Sequence, residues 1–202
     1  MSNAPRKAPR QQRSKETVDV MLEAAAQVFD REGPSATTNR IAEKAGVSIG
    51  SLYQYFPNKQ ALLNVLAQRH VKQAVERLDA VLAQLRAQQP PFEDTMRTIL
   101  DALVELHSDR PGLHGLMHRM VAPRADELAA LQQFEGYLTR EIAFHLRRCG
   151  VGRRGDGSDD ESSLATAQVL VHTVDAHLHR VLPRRGMDTE QLLELVVRLL
   201  GD

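Results

Sequence analysis

Residues Thr37–Lys59 read TTNRIAEKAGVSIGSLYQYFPNK, and the fold follows from how this stretch divides. Asn39 to Ala45 make one short helix, with Thr37 or Thr38 placed to cap its free backbone N–H groups. Gly46 lets the chain reverse through a left-handed conformation without a Cβ clash. Ser48 then caps a second helix, which Pro57 ends because the residue before a proline avoids helical geometry. Asn58 caps a third. Two short helices joined by a tight turn form a helix-turn-helix unit.

The side chains sort into two sets. Ile41, Ala42, Ala45, Val47, Leu52 and Phe56 are the apolar positions that lock the two helices against a third. Thr37, Thr38, Asn39, Ser48, Ser51, Tyr53, Gln54, Tyr55 and Lys59 point elsewhere. Hydroxyls, a lysine and helix N-termini are the groups that hold phosphate oxygens, while base edges are reached from the start of the second helix. Gly50, near that start, lets the helix approach a groove closely.

The run from Ile41 to Lys59 resembles the DNA-binding signature of the TetR family of transcriptional regulators. Gly46-Val47, Leu52-Tyr53, Tyr55-Phe56 and Asn58-Lys59 fall together at that family's spacing, and the strong match spans about Lys15 to Leu66. The resemblance implies phosphate contacts from Thr38, Ser51, Tyr53, Tyr55 and Lys59, and base contacts from Asn39, Ile49, Gly50 and again Tyr53. Ile49 and Gly50 carry no polar side-chain group, so they can read only thymine methyls and groove shape. Sharper base readout then falls to Asn39 and Gln54.

Upstream, Val18, Leu22, Ala25 and Phe29 form one apolar stripe of a helix from about Ser14 to Arg31, which Gly33-Pro34-Ser35 stops. This stripe completes a three-helix domain over residues 14–60. Residues 1–13 are expected as a flexible basic arm. The first 15 residues hold Arg6, Lys7, Arg10, Arg13 and Lys15 with no acidic group, which suits phosphates or a minor groove. The chain has 26 basic and 26 acidic residues, yet residues 1–60 carry nine basic against six acidic. The charge is thus distributed toward the motif.

Residues 61–202 are expected as an effector-binding and dimerisation domain. A long helix continues to about Gln89 without Pro or Gly, a stiff lever on the motif. Helices are expected over about Phe92–Ser108, Leu113–Val121 and Ala125–Cys149, then a glycine-rich loop at 150–158. No strand pattern occurs, so the fold is expected to be all-α. Leu164, Ala167, Val171, Val174, Leu178 and Val181 step as a heptad-like seam, and the last helix carries Leu192, Val196 and Leu199. These nine residues are the expected face of a homodimer, which suits a palindromic DNA operator. The same helices could instead bury those faces within one chain.

His114 and His118 stand four apart, and so do His145 and Cys149, but neither pair brings the further ligand or orienting group that a metal site or a catalytic dyad needs. No phosphate-cradling or nucleophile motif occurs, and no enzyme, cofactor or metal is expected. The TetR resemblance implies a small-molecule effector among the middle helices, where Leu116, Met117, Met120, Phe134, Tyr137 and His172 suit a mostly hydrophobic ligand. One cysteine and no 18-residue apolar run point to a cytoplasmic protein without a membrane partner. The reading is a homodimeric repressor of transcription released by its effector. Its rival is a helical protein–protein adaptor with a vestigial helix-turn-helix.

Overall fold

The computed structural model describes residues 8–121, 125–151, 159–181 and 188–201, and among them every regular element is helical. In order these are α1 (Ala8–Glu32), a 3₁₀ turn at Gly33–Ser35, α2 (Thr38–Ala45), α3 (Ile49–Tyr55), α4 (Lys59–Gln88), α5 (Phe92–Ser108), α6 (Pro111–Met120), α7 (Ala125–Cys149), α8 (Asp159–Ala176), a π-helical turn at His177–Val181, and α9 (Thr189–Leu200). The all-α expectation holds. α1 begins at Ala8, six residues ahead of Ser14, so 8–13 are helix rather than arm. Residues 1–7 of the expected arm and 152–158 of the glycine-rich loop lie outside the described residues.

Two compact units divide the chain. One comprises residues up to His70 together with Arg110–Val121; the other comprises Val71–Asp109 and the residues from Ala122 onward. α4 contributes its first turns to the former and the remainder to the latter.

In the first unit, α1 packs on α2 and on α6. Met21, Leu22, Ala25 and Phe29 of α1 are buried with Ile41, Leu52 and Phe56 and with Leu62 and Leu63 of α4. The unit thus reaches past residue 60 and takes in α6. Two polar devices hold α6 to α1. Asp30 accepts hydrogen bonds from the Gly112 and Leu113 N–H groups at 2.9 and 3.2 Å, supplying the cap that α6 lacks in its own sequence. Glu23 takes a fork from Arg110 at 2.8 and 3.1 Å, and this bond, with another from Gln27, lowers its pKa.

In the second unit, α7 and α8 run antiparallel. The Arg147–Asp160 ion pair (3.2 Å) and a Glu135–His172 contact (3.2 Å) tie the two helices together at separate levels of the hairpin. α5 packs against α9, and Arg97 of α5 pairs with Glu190. Glu141, nearly buried on α7, receives the Arg86 guanidinium at 2.7 and 3.1 Å, while the same guanidinium stacks 4.2 Å from the Phe144 ring centre. Arg148 donates to the Gln89 and Pro90 carbonyls, tying the end of α4 to α7.

The heptad seam turns inward. Ala167, Val171, Val174 and Leu178 are buried in the core of this unit, as are Leu192 and Val196. Of the nine residues expected at a dimer face, only Leu164 and Leu199 are exposed (40% and 38%); the Val181 side chain lies outside the described residues. The reason is physical: a 3-4 repeat marks a helix that packs on another helix, and α7 of the same chain satisfies it. Val169 and Val197, which the repeat skips, are exposed.

A Cβ at Gly112 would lie 2.3 Å from the Asp30 carbonyl oxygen, whereas one at Gly115 would meet only the end of the Arg119 side chain at 3.2 Å. Gly112→Ala therefore forces α6 off α1 and is expected to cost about 1–3 kcal/mol in urea unfolding, with Gly115→Ala much milder. Equal costs for the two variants would contradict this packing.

Candidate nucleic-acid interface

α2 is held at both ends. The Thr37 hydroxyl accepts from the Arg40 N–H (3.3 Å). At the other end Gly46, at φ +67°, donates to Glu43, and Val47 donates to the Ala42 carbonyl (3.1 and 3.0 Å). Those two bonds are a Schellman closure, which requires the left-handed residue that glycine supplies. Ser48 caps α3 by accepting from the Ser51 N–H at 3.0 Å, and Pro57 follows its end. Asn58 caps α4 through the Ala61 N–H (2.9 Å).

These caps, with Ile41, Ala42, Leu52 and Phe56 buried and Ala45 and Val47 packed against them, fix which side of α3 faces outward. Ser48, Ile49, Gly50, Tyr53, Gln54 and Tyr55 are exposed, and Thr38, Ser51 and Lys59 are half-buried; Thr37, which caps α2, and Asn39 and Arg40 within it are exposed as well. Ile49, Tyr53 and Tyr55 leave 37%, 47% and 40% of their surface to solvent, unusual for large side chains so near a core. At Gly50, an added Cβ would meet only the Ser48 hydroxyl, at 3.8 Å. Nothing among the described residues needs glycine there.

Several of these groups are pre-positioned by hydrogen bonds. Thr38 and Tyr53 share a hydroxyl contact of 3.1 Å, and Ser48 and Ser51 one of 2.8 Å. Tyr55 is tied to Ser14 of α1 at 3.2 Å. Lys59 donates to the Pro34 carbonyl at 2.8 Å, which leaves ammonium hydrogens for another acceptor. Ser14 had no sequence signal, because its partner lies 41 residues away. The Thr38–Tyr53 tie is likewise visible only in three dimensions.

The residues expected around an effector fall in both units. Leu116 and Met117 are buried in the first unit's core and Met120 is 40% exposed, whereas Phe134 and Tyr137 flank the second unit's core. α6 spends its apolar face on α1, and its sequence cannot say which unit receives it. His172 sits opposite Glu135. A recess of about 460 Å³ on the first unit is lined by Gln27, Val28, Arg31, Glu32, Arg40, Glu43 and Lys44, a charged rather than a hydrophobic lining. His145 does not pair with Cys149. Its Nδ1 lies 3.1 Å from Arg148, which can only donate, so the proton of the neutral ring sits on Nε2. Among the described residues there is no cluster of three or more metal-ligating side chains, and no helix is long and apolar enough to cross a membrane.

Comparison with known proteins places these features. Residues 21–66 match the profile of bacterial regulatory proteins of the tetR family. The chain is 30% identical over 190 residues to the HTH-type transcriptional repressor KstR of Rhodococcus jostii (strain RHA1), covering 90% of this chain and 82% of that protein. It is 27% identical over 130 residues to the nucleoid occlusion factor SlmA of Glaesserella parasuis serovar 5 (strain SH0165), a match that spans 64% of this chain and 62% of that relative. Among solved structures, a TetR-like transcriptional regulator from Rhodococcus sp. RHA1 superposes with a TM-score of 0.62 at 22% identity, over 91% of this chain and 93% of that one.

His145 and His107 are both held below the ordinary histidine range, chiefly by burial, with Arg148 adding repulsion at His145. Each ring therefore gains protons on unfolding once the pH falls below its unfolded value of about 6.5. Stability is expected to be full above that pH and to decline from there toward pH 5. Urea midpoints compared at pH 7.5 and 5.5 check it; equal midpoints would show that neither ring is held neutral by the fold.

Proposed function

The chain belongs to the TetR family of bacterial regulatory proteins, and from that footing we propose that it is a homodimeric, sequence-specific DNA-binding regulator of transcription, a repressor that a small, mostly hydrophobic effector releases from a palindromic operator. The observation that carries this reading is the open N-terminal face of α3, with Gly50 bare and flanked by exposed Ile49, Tyr53 and Tyr55. A helix that must lie in a major groove needs a side-chain-free approach at its start. In this reading Thr38, Ser51, Tyr53, Tyr55 and Lys59 hold phosphates; Asn39, Ile49, Gly50, Tyr53 and Gln54 face bases; and Ser48 caps the docked helix. The Thr38–Tyr53 tie fixes the tyrosine before docking, so less side-chain entropy is lost on binding.

Support for repression comes from the relative whose name describes a transcriptional repressor. Two copies would pair through the outer faces of α8 and α9, where Leu164, Val169, Val197 and Leu199 remain exposed after the heptad seam is buried within the chain. The effector would bind in the second unit, near Phe134 and Tyr137. It can act only by binding one of the two states of the dimer more tightly than the other. Operator binding requires no catalysis, and we assign none.

Gly50→Ala is expected to leave folding intact or raise stability by up to about 1 kcal/mol, since alanine is the better helix former. The same change should weaken binding to the DNA upstream of its own gene by about tenfold or more, read by fluorescence anisotropy. Unchanged binding would mean that α3 does not enter the groove. Lys59→Ala should lower the slope of log affinity against log salt by about one. An unchanged slope would remove Lys59 from the phosphate contacts. Val169→Arg should shift the protein from dimer toward monomer in sedimentation velocity, and a dimer unaffected by it would place the interface elsewhere.

A further inference from the structure

His145, near the end of α7, is completely enclosed in the second unit. Its Nδ1 accepts from Arg148 at 3.1 Å, and burial with the Arg148 charge holds the ring neutral, so its proton sits on Nε2. That Nε2–H meets no hydrogen-bond partner among the described residues, and neither does the enclosed Nε–H of Arg148 beside it. An enclosed donor without an acceptor loses its hydration and gains nothing in exchange. Such groups in folded proteins point to a ligand, an ion or a bound water. Both groups here are donors, so what they call for is an acceptor.

The charges around the ring narrow the kind of acceptor. Arg86 is matched by Glu141 at 2.7 and 3.1 Å. Arg148 has no such match: it donates to the Gln89 and Pro90 carbonyls and to the His145 ring, all uncharged, and no carboxylate meets it among the described residues. A half-buried cation with only neutral acceptors favours an anion beside it. The rest of the setting is apolar. Ile142, Ala143 and Leu146 of α7 belong to the second unit's core, and the Phe144 ring stands edge-on to the imidazole with centres 5.0 Å apart. Phe134, Glu141, His145 and Arg148 follow one another at steps of seven, four and three, so one face of α7 carries an aromatic ring and, further along, the two enclosed donors.

We propose that the Nε2–H of His145 binds the carboxylate of a mostly apolar organic acid, and that this is the chemical class of the effector. The proposal rests on the reading of the second unit as effector-binding. One carboxylate oxygen accepts from Nε2–H, the Arg148 charge favours the anion, and the hydrocarbon part lies against core side chains. A hydrogen bond to a charged acceptor in a site shut off from water is stronger than one to a neutral acceptor, so an acid is selected over an alcohol of the same chain. Phe144 and Arg148, which contact the ring, are only half-buried, so the imidazole lies one side chain beneath the surface.

The test uses the full-length chain at pH 7.5 with sodium decanoate as the probe. At ten times its dissociation constant, decanoate should raise the thermal midpoint by about 3–6 °C. Acetate, which lacks the chain, and decyltrimethylammonium, which lacks the acceptor, should not. His145→Asn keeps an acceptor for Arg148 but removes the Nε2 donor, and should weaken decanoate binding about tenfold or more in calorimetric titration. His145→Gln, whose amide reaches as far as Nε2, should recover part of the loss. In the unaltered chain, long-range proton–nitrogen NMR should find the His145 proton on Nε2 and see that signal move downfield as decanoate is added, so the result does not hang on a variant folding. A proton on Nδ1, an Nε2–H signal that contacts a bound water and ignores decanoate, equal midpoint shifts with decyltrimethylammonium, or undiminished binding by His145→Asn would each overturn the proposal. All readouts are taken without DNA, so failure here leaves the operator reading untouched, and failure of operator binding leaves these readouts standing.

Discussion

Burial of Leu52 decides what this protein can present to a partner. α3 has only seven residues, well short of the ~12–15 at which an isolated helix becomes even marginally stable. It exists because Leu52 is fully buried in the same core as Ile41 and the α1 residues Leu22 and Phe29; loss of such a side chain from comparable cores costs about 2–5 kcal/mol. The orientation of Ile49, Gly50, Tyr53 and Tyr55 is a consequence of that one anchor. α1 is therefore as much a part of the candidate interface as α3, and the Ser14–Tyr55 contact makes the dependence visible.

The second unit solves a different problem. It must bury two strongly apolar helices, α8 and α9, and it does so mostly within the chain, against α7 and α5. What is left outside is a modest set of aliphatic side chains bordered by charge. A small residual patch of that kind suits a two-fold contact that is specific without being so apolar that the single chain would aggregate. The Arg86–Glu141 pair, stacked on Phe144, adds geometric specificity where hydrophobic packing alone would allow α7 to rotate.

The expectations from sequence fared according to the range of the physics behind them. Caps, turns and helix ends depend on neighbours within a few residues, and Thr37, Gly46, Ser48, Asn58 and the ends of α5 and α7 fell where that chemistry put them. The start of α1 was placed late, because Arg10 to Arg13 look like a solvated tail although nothing there forbids helix. The seam of α8 was legible as a packing face but not as to which helix would cover it. α6 carried the same ambiguity, and Leu116 and Met117 went to the core of the first unit.

The sequence by itself determined the helix-turn-helix, its caps, its apolar inner face and its exposed outer one, because each rests on local backbone chemistry and a short hydrophobic period. Only the tertiary structure decided which apolar faces remain outside, that Asp30 caps α6, that Thr38 holds Tyr53, and that His107 meets His179 across 72 residues. Those outcomes depend on contacts between segments far apart in the chain. A hydrophobic period marks a face for burial but carries no information about the partner that buries it.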